Sequence, residues 1–373
     1  MTDYRNATLL DGGREAFPAI LSAIGEAKES LYINMFIWRD DRIGREMAEA
    51  VLAAADRGVR VEIVKDRYGA VLELAEESRR SLLHPRTTAI EGLKARALHA
   101  LYAREAKKPE RGESPLYRRL ASHPSIRLSA DRHRADHSKF YLIDGRVLFL
   151  GGVNIEDKEN GCDLRGRVYG DYMVRLEGEA YVDAFLAARR GESAPREIGC
   201  GFPMNCKETG RSEMEEHYLS LIASAERELL IVMAYLSPLP RFLRAIADAH
   251  RRGVRVTLMI PEAANFQNDT NRRTVRRLMK LTGDGITVLF SKKMLHTKLV
   301  LTEGAISFGS CNITKKAFGQ LDELNLCIEN SDAPLPLALR ESLARELSAA
   351  APVSTYRKIR YCPMIALAEG LLV

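Results

Sequence analysis

Leu21-Ser22, followed by Ala27-Lys28-Glu29-Ser30-Leu31-Tyr32-Ile33-Asn34-Met35, returns 198 positions later as Leu219-Ser220, followed by Ala225-Glu226-Arg227-Glu228-Leu229-Leu230-Ile231-Val232-Met233. A repeat on this scale decides the architecture. Arg57-Gly58-Val59-Arg60-Val61 recurs as Arg252-Gly253-Val254-Arg255-Val256 at an offset of 195. Each copy reads as helix, apolar strand, helix, glycine turn, second strand. Residues 47–55 and 242–249 carry helical periodicity, and 59–64 and 254–260 are β-branched runs after a glycine suited to a helix C-terminus. The pattern is α/β with parallel crossovers, made twice in one chain. The expected units are 1–195 and 211–373, the second carrying a C-terminal tail. Between them 196–210 is expected to be a linker, because Gly, Pro and polar residues cluster there without periodicity.

The 373 residues, 46% of them hydrophobic and 28% charged, exclude disordered, collagenous and coiled-coil classes. No run reaches the roughly 18 apolar residues that cross a bilayer, and Met1-Thr2-Asp3-Tyr4-Arg5-Asn6 has no signal-peptide core. The chain is therefore expected in the cytoplasm. Six cysteines at no metal-type spacing read as free thiols, Cys200 and Cys206 being the only pair close enough in sequence to suggest a disulfide. The net charge of +6 is small, but the stretch 79–120 holds eleven cations against four acids and so carries the whole basic excess.

A third match carries chemistry. His137-Ser138-Lys139, Asp144 and Gly151-Gly152-Val153-Asn154 reappear as His296-Thr297-Lys298, Glu303 and Gly309-Ser310-Cys311-Asn312. The His to His offset is 159, so the first copy holds 36 residues that the second lacks, and these include the basic stretch. Its helix-forming residues 91–105 suggest an amphipathic hairpin or lid. In each copy His and Lys lie two apart on an alternating strand and share a face. A turn then brings Asn154 or Asn312 back toward the His, and the small residues before each Asn are expected to let the backbone approach a ligand closely. An imidazole, an ammonium and an amide together suit a phosphate. Two such sets about a pseudo-two-fold axis supply a nucleophile on one side of phosphorus and a proton donor on the other, with two Lys and two Asn for the nonbridging oxygens. Such a reaction needs no divalent metal and no cofactor.

These residues resemble the HKD signature of the phospholipase D superfamily, H-x-K-x4-D-x6-G-[GS]-x-N. The first copy fits every defined position, whereas the second has Glu303 for Asp and one residue fewer before Gly309. The resemblance implies two pseudo-symmetric phospholipase D-like α/β/α sandwich domains with a shared active site at their interface. Asp144 and Glu303 would be structural. It also implies a carboxylate behind each catalytic His: Asp171, in a Gly170-to-Gly178 segment similar to the D-x-x-V-R-[IL]-E-G strand of cardiolipin synthases, and Glu323, eleven residues after Asn312. Phe36-Ile37-Trp38 with Ile43-Gly44, Gly58-Val59-Arg60-Val61, His217-Tyr218-Leu219 and Arg251-Arg252-Gly253-Val254 follow the shorter bacterial cardiolipin synthases. The implied reaction moves a phosphatidyl group from one phospholipid, phosphatidylglycerol, to the hydroxyl of another through a phosphohistidine. By the same resemblance His137 is the nucleophile and His296 the general acid, then base.

Three classes stay open: this transferase, a phospholipase D or nuclease with water as acceptor, and a non-catalytic binder of anionic lipid or nucleic acid. A nuclease would favour a basic groove with stacking aromatics, which the concentration of cations in one insertion disfavours. For the basic residues Arg86, Lys94, Arg96, Arg104, Lys107 and Lys108, and for Arg272 and Arg273 on a second basic helix, one reading is a solvated face and the other is contact with anionic headgroups. Peripheral attachment to the inner face of the membrane is the partner expected. Because one chain holds both sets, a monomer is expected. Trp38 reads as core, and the apolar stretch 364–373 as docked on its own domain.

Overall fold

The computed structural model describes residues 4, 6–77, 81–84, 88–102, 114–130, 135–161, 166–192 and 199–372. Strand Ser30–Met35 pairs in parallel with Arg60–Lys65, Ser30 opposite Arg60, and Glu228–Met233 pairs in parallel with Arg255–Pro261, Glu228 opposite Arg255. The helices between them, Arg42–Asp56 and Pro240–Arg251, are started differently. Asp41 caps the first by accepting from the Gly44 amide at 3.0 Å, and a proline opens the second. Both run into a left-handed glycine, Gly58 at φ 95° and Gly253 at φ 94°.

Six strands then follow one order in both sheets. In the first sheet the order is Tyr172–Glu177, Val147–Gly151, Phe140–Ile143, Ser30–Met35, Arg60–Lys65, Ile126–Ser129. In the second it is Glu323–Glu329, Ala305–Gly309, Lys298–Thr302, Glu228–Met233, Arg255–Pro261, Thr287–Ser291. Both sheets are mixed, parallel at one end and antiparallel at the other. Each has its own helix-facing core. A third core joins the halves: Phe140, Leu148, Leu150 and Val174 of the first sheet pack with Leu299, Leu301, Phe308 and Leu326 of the second, together with Phe185 and Leu339 from helices Glu179–Arg189 and Pro334–Ala349.

The expected linker is narrower than 196–210. Cys200–Gly201 and Met204–Cys206 both pair with Glu323–Glu329 and belong to the second sheet, while 196–198 lie outside the described residues. Strands of two and three residues are too short to show a period. Cys200 and Cys206 are free thiols, as are Cys311, Cys327 and Cys362, and Cys162 lies outside the described residues. In the insertion, Ala89–Tyr102 forms a helix that packs on Arg67–Glu77. Thr88 and Glu91 exchange reciprocal capping bonds of 3.2 and 2.7 Å at its start, and Arg67 grips Glu91 through two bonds. Arg86, Arg104, Lys107 and Lys108 lie outside the described residues. Trp38 is fully buried and donates Nε1–H to the Gly44 carbonyl. The C-terminal helix Pro363–Leu372 docks on Asn268–Leu281, where Glu369 accepts from the Thr270 amide at 2.7 Å. Among the described residues no helix is long and apolar enough to cross a membrane.

Candidate active site

His137 and His296 line one cavity of about 80 Å³ together with Asn154 and Asn312. Phe36, Ile37, Leu72, Tyr169, Tyr235 and Phe266 are among its wall residues. A larger cavity of about 460 Å³ is lined by Asp136 and Ser138, the chain neighbours of His137. Neither histidine lines it, so the chemistry belongs to the smaller one.

The halves are crossed at the site. The His137 amide donates to the Asp322 carbonyl, and its Nδ1 lies 3.1 Å from both oxygens of Glu323, in the second half. Conversely, the His296 amide donates to the Gly170 carbonyl, and its Nδ1 lies 3.0 Å from Asp171 Oδ2, in the first half. Two short parallel pairings hold this exchange, Asp136 with Asp322 and Met294–Leu295 with Tyr169–Gly170. Each imidazole is therefore oriented by a carboxylate from the other copy.

Lys139 and Lys298 are fully buried, each donating Nζ–H to the carbonyl of its own histidine, and Lys298 also reaches Asp171 at 3.2 Å. Among the described residues the Asn154 side-chain oxygen has no hydrogen-bond partner, while that of Asn312 accepts from the Tyr235 amide at 3.2 Å. The small residues before each Asn have a role within the fold itself. A Cβ on Gly152 would lie 2.1 Å from Asp171 Oδ2, one on Gly309 would lie 2.4 Å from the Leu324 carbonyl, and one on Gly151 would lie 2.2 Å from the Tyr172 carbonyl. The close approach is to the carboxylate strand. Ser310, at the position of Gly152, donates its hydroxyl to Glu323 instead. Asp144 accepts from the amides of Lys28, Glu29 and Ser30 at 2.8–2.9 Å, and Glu303 accepts from those of Glu226 and Glu228. Neither acid reaches the cavity; each anchors the start of a central strand.

Burial, then Lys139, Lys298 and His296, pushes His137 well below the ordinary imidazole range. Burial and Lys298 lower His296 to about 4, with Asp171 opposing them. Burial lowers Lys139 to about 7, the nearby Lys298 adding to it. Burial would raise Asp171, but Lys298 and His296 hold it below the usual carboxylate range, whereas burial lifts Glu323 to about 8.

Sequence reasoning missed Glu159. It is buried 3.4 Å from His296 Nδ1, and burial beside Glu156 and Asp171 raises its carboxyl well above the ordinary value. It also missed Phe36, whose ring meets His137 edge-on at 4.6 Å. No spacing rule singles out either. Of the expected basic contacts, Arg272 turns inward, donating to the Glu262 and Arg360 carbonyls and covering Phe290, and neither Arg272 nor the half-buried Arg273 lines the cavity. Arg96 is exposed and Lys94 leans over the Tyr68 ring.

The chain matches the family described as cardiolipin synthase, PLD-like domain, over residues 20–165 and 218–345, bracketing both crossed histidine sets. It belongs to this family. Within it, the chain is 29% identical to cardiolipin synthase B of Shigella flexneri, across 90% of this chain and 78% of that protein. It is 21% identical to the major cardiolipin synthase of Bacillus subtilis across 88% and 66%. The crystal structure of phosphatidylserine synthase from Haemophilus influenzae shares the fold over 97% of this chain and 92% of that one, with a TM-score of 0.72 at 13% identity.

Proposed function

We propose that this chain is a phosphatidyltransferase of the cardiolipin synthase type, taking phosphatidylglycerol as donor and acceptor. The observation that carries the reading is the pair of imidazoles facing one cavity, each backed by a buried carboxylate from the opposite half. His137 donates Nδ1–H to Glu323, leaving the Nε2 lone pair to attack phosphorus. The P–N bond forms as the P–O bond to glycerol breaks, and His296 gives the leaving oxygen its proton. His296 then takes the proton of the acceptor hydroxyl, whose oxygen bonds to phosphorus as the P–N bond breaks. The division of roles follows the charges. An ionised Asp171 favours imidazolium at His296, while the raised carboxyl of Glu323 leaves His137 the more readily neutral ring. Lys139, Lys298, Asn154 and Asn312 hold the nonbridging oxygens, and the substrate anion raises the histidines from their values in the empty site.

With water as acceptor the same residues would make phosphatidic acid. Products separate the two: incubation with phosphatidylglycerol vesicles is expected to give cardiolipin plus glycerol, and phosphatidic acid without cardiolipin would overturn the transferase reading. The two units, the second taking in Cys200–Gly201 and Met204–Cys206, each supply one histidine set, and the enzyme acts as a monomer. It works in the cytoplasm, at the inner face of the membrane. Ile90 and Leu93, 81% and 69% exposed on the helix that also carries Lys94, support attachment to a lipid surface. Asp at both positions is expected to reduce flotation with anionic liposomes several-fold.

A further inference from the structure

Lys94 and Lys316 stand on the same aromatic ring. Lys94 Nζ is 4.5 Å and Lys316 Nζ 4.2 Å from the centroid of Tyr68, and Lys316 also donates to the Tyr68 hydroxyl at 2.6 Å. Lys94 comes from the insertion helix and Lys316 from the second half, four residues after Asn312. Both are partly buried, and neither forms an ion pair with a carboxylate among the described residues. Burial and Lys94 lower Lys316 to about 8. Two like charges held together on a phenol without a counter-ion are an unmet electrostatic demand. Tyr68 and Lys316 line the same cavity as the histidines. One ring separates the two places: Phe36 is 4.6 Å from His137 and 6.2 Å from Tyr68.

We propose that Lys94, Lys316 and the Tyr68 hydroxyl form a second anion subsite, which holds the phosphodiester of the acceptor lipid while its glycerol hydroxyl attacks phosphohistidine. This rests on the transferase reading and adds what selects the acceptor. In a lipid with two phosphates joined by one glycerol, the second phosphate lies three carbons and two ester oxygens from the reacting one. A charge pair one ring away from His137 suits that separation. The two ammonium groups would favour an anionic acceptor over water or a neutral alcohol, which gain nothing there.

The test gives the full-length enzyme phosphatidylglycerol vesicles in buffer containing ethanol and measures cardiolipin against phosphatidylethanol. Both products come from one intermediate, so their ratio reports acceptor choice and is insensitive to the amount of folded protein. Lys94→Met and Lys316→Met are each expected to lower the ratio about tenfold, the scale of one charge-assisted hydrogen bond. Lys94→Arg and Lys316→Arg keep it within about threefold of wild type, because the charge stays. An unchanged ratio in both Met variants overturns the subsite, even if total turnover falls. A wild-type enzyme that makes phosphatidylethanol but no cardiolipin overturns the cardiolipin synthase reading itself, a result the variants do not influence.

Discussion

Gly152 and Asp171 leave no room between them for a methyl group. With a Cβ only 2.1 Å from Asp171 Oδ2, Gly152→Ala must displace the carboxylate that orients His296. Turnover is expected to fall by about 10²-fold, the scale of a displaced proton donor, with an unchanged circular dichroism spectrum; near-wild-type turnover would mean that Asp171 does not position His296. The two acids beside this ring should also respond differently. Glu159 is held neutral by burial and the acids around it, so Glu159→Gln keeps its charge state and is expected to cost no more than about tenfold in kcat. Asp171→Asn removes a carboxylate that Lys298 keeps ionised, and is expected to cost about 10²-fold or more. Lys139 is expected to make donor binding depend on pH. Lowered to about 7 by burial and Lys298, its ammonium is present below that pH and lost above it, so donor KM is expected to rise on the alkaline side. A flat KM between pH 6 and 9 would remove Lys139 from phosphate binding. The types of these residues were legible in the sequence because His, Lys and Asn recur at nearly constant spacing. Glu159 was not, since an acid five residues after Asn154 has no counterpart in the other copy to mark it.

At the scale of elements, the insertion helix depends on its first turn. Glu91 closes the capping box with Thr88 and is gripped by Arg67, whose hydrogen bonds are the first cause of a carboxyl lowered to about 2. A depressed acid stabilises above its unfolded value, about 4.3, and that stabilisation is lost as pH falls toward 2. Hydrogen exchange in residues 89–102 should therefore speed up selectively as pH drops through this window, after correction for intrinsic rates, and Glu91→Gln should show the faster exchange already at pH 7. Strand anchoring works by the same logic in both copies. Asp144 collects three amides at the start of Ser30–Met35, so Asp144→Ala is expected to cost about 1–2 kcal/mol, as a lost cap does, in a denaturant titration while kcat per folded molecule stays close to wild type. The insertion was readable as helical from composition. Its partner, Arg67–Glu77, was not, because helix-on-helix packing depends on the facing surfaces and leaves no mark on the spacing within either element.

Across the whole molecule, the third core and the crossed carboxylates make the two halves one catalytic object. Mixing His137→Asn with His296→Asn is expected to leave cardiolipin synthesis at background, because each chain completes its own site; recovered activity would point to exchange between chains. The repeat, the succession of helices and strands in each copy and the identity of the histidine, lysine and asparagine groups follow from local periodicity and spacing, which a sequence carries directly; the order of strands across each sheet does not. Which carboxylate stands behind which imidazole, why Gly152 must be small, and how Lys94 meets Lys316 across Tyr68 depend on positions far apart in the chain. These are brought together only when two twisted sheets bury a common apolar face, and such contacts have no local signature. Only the tertiary structure decided them.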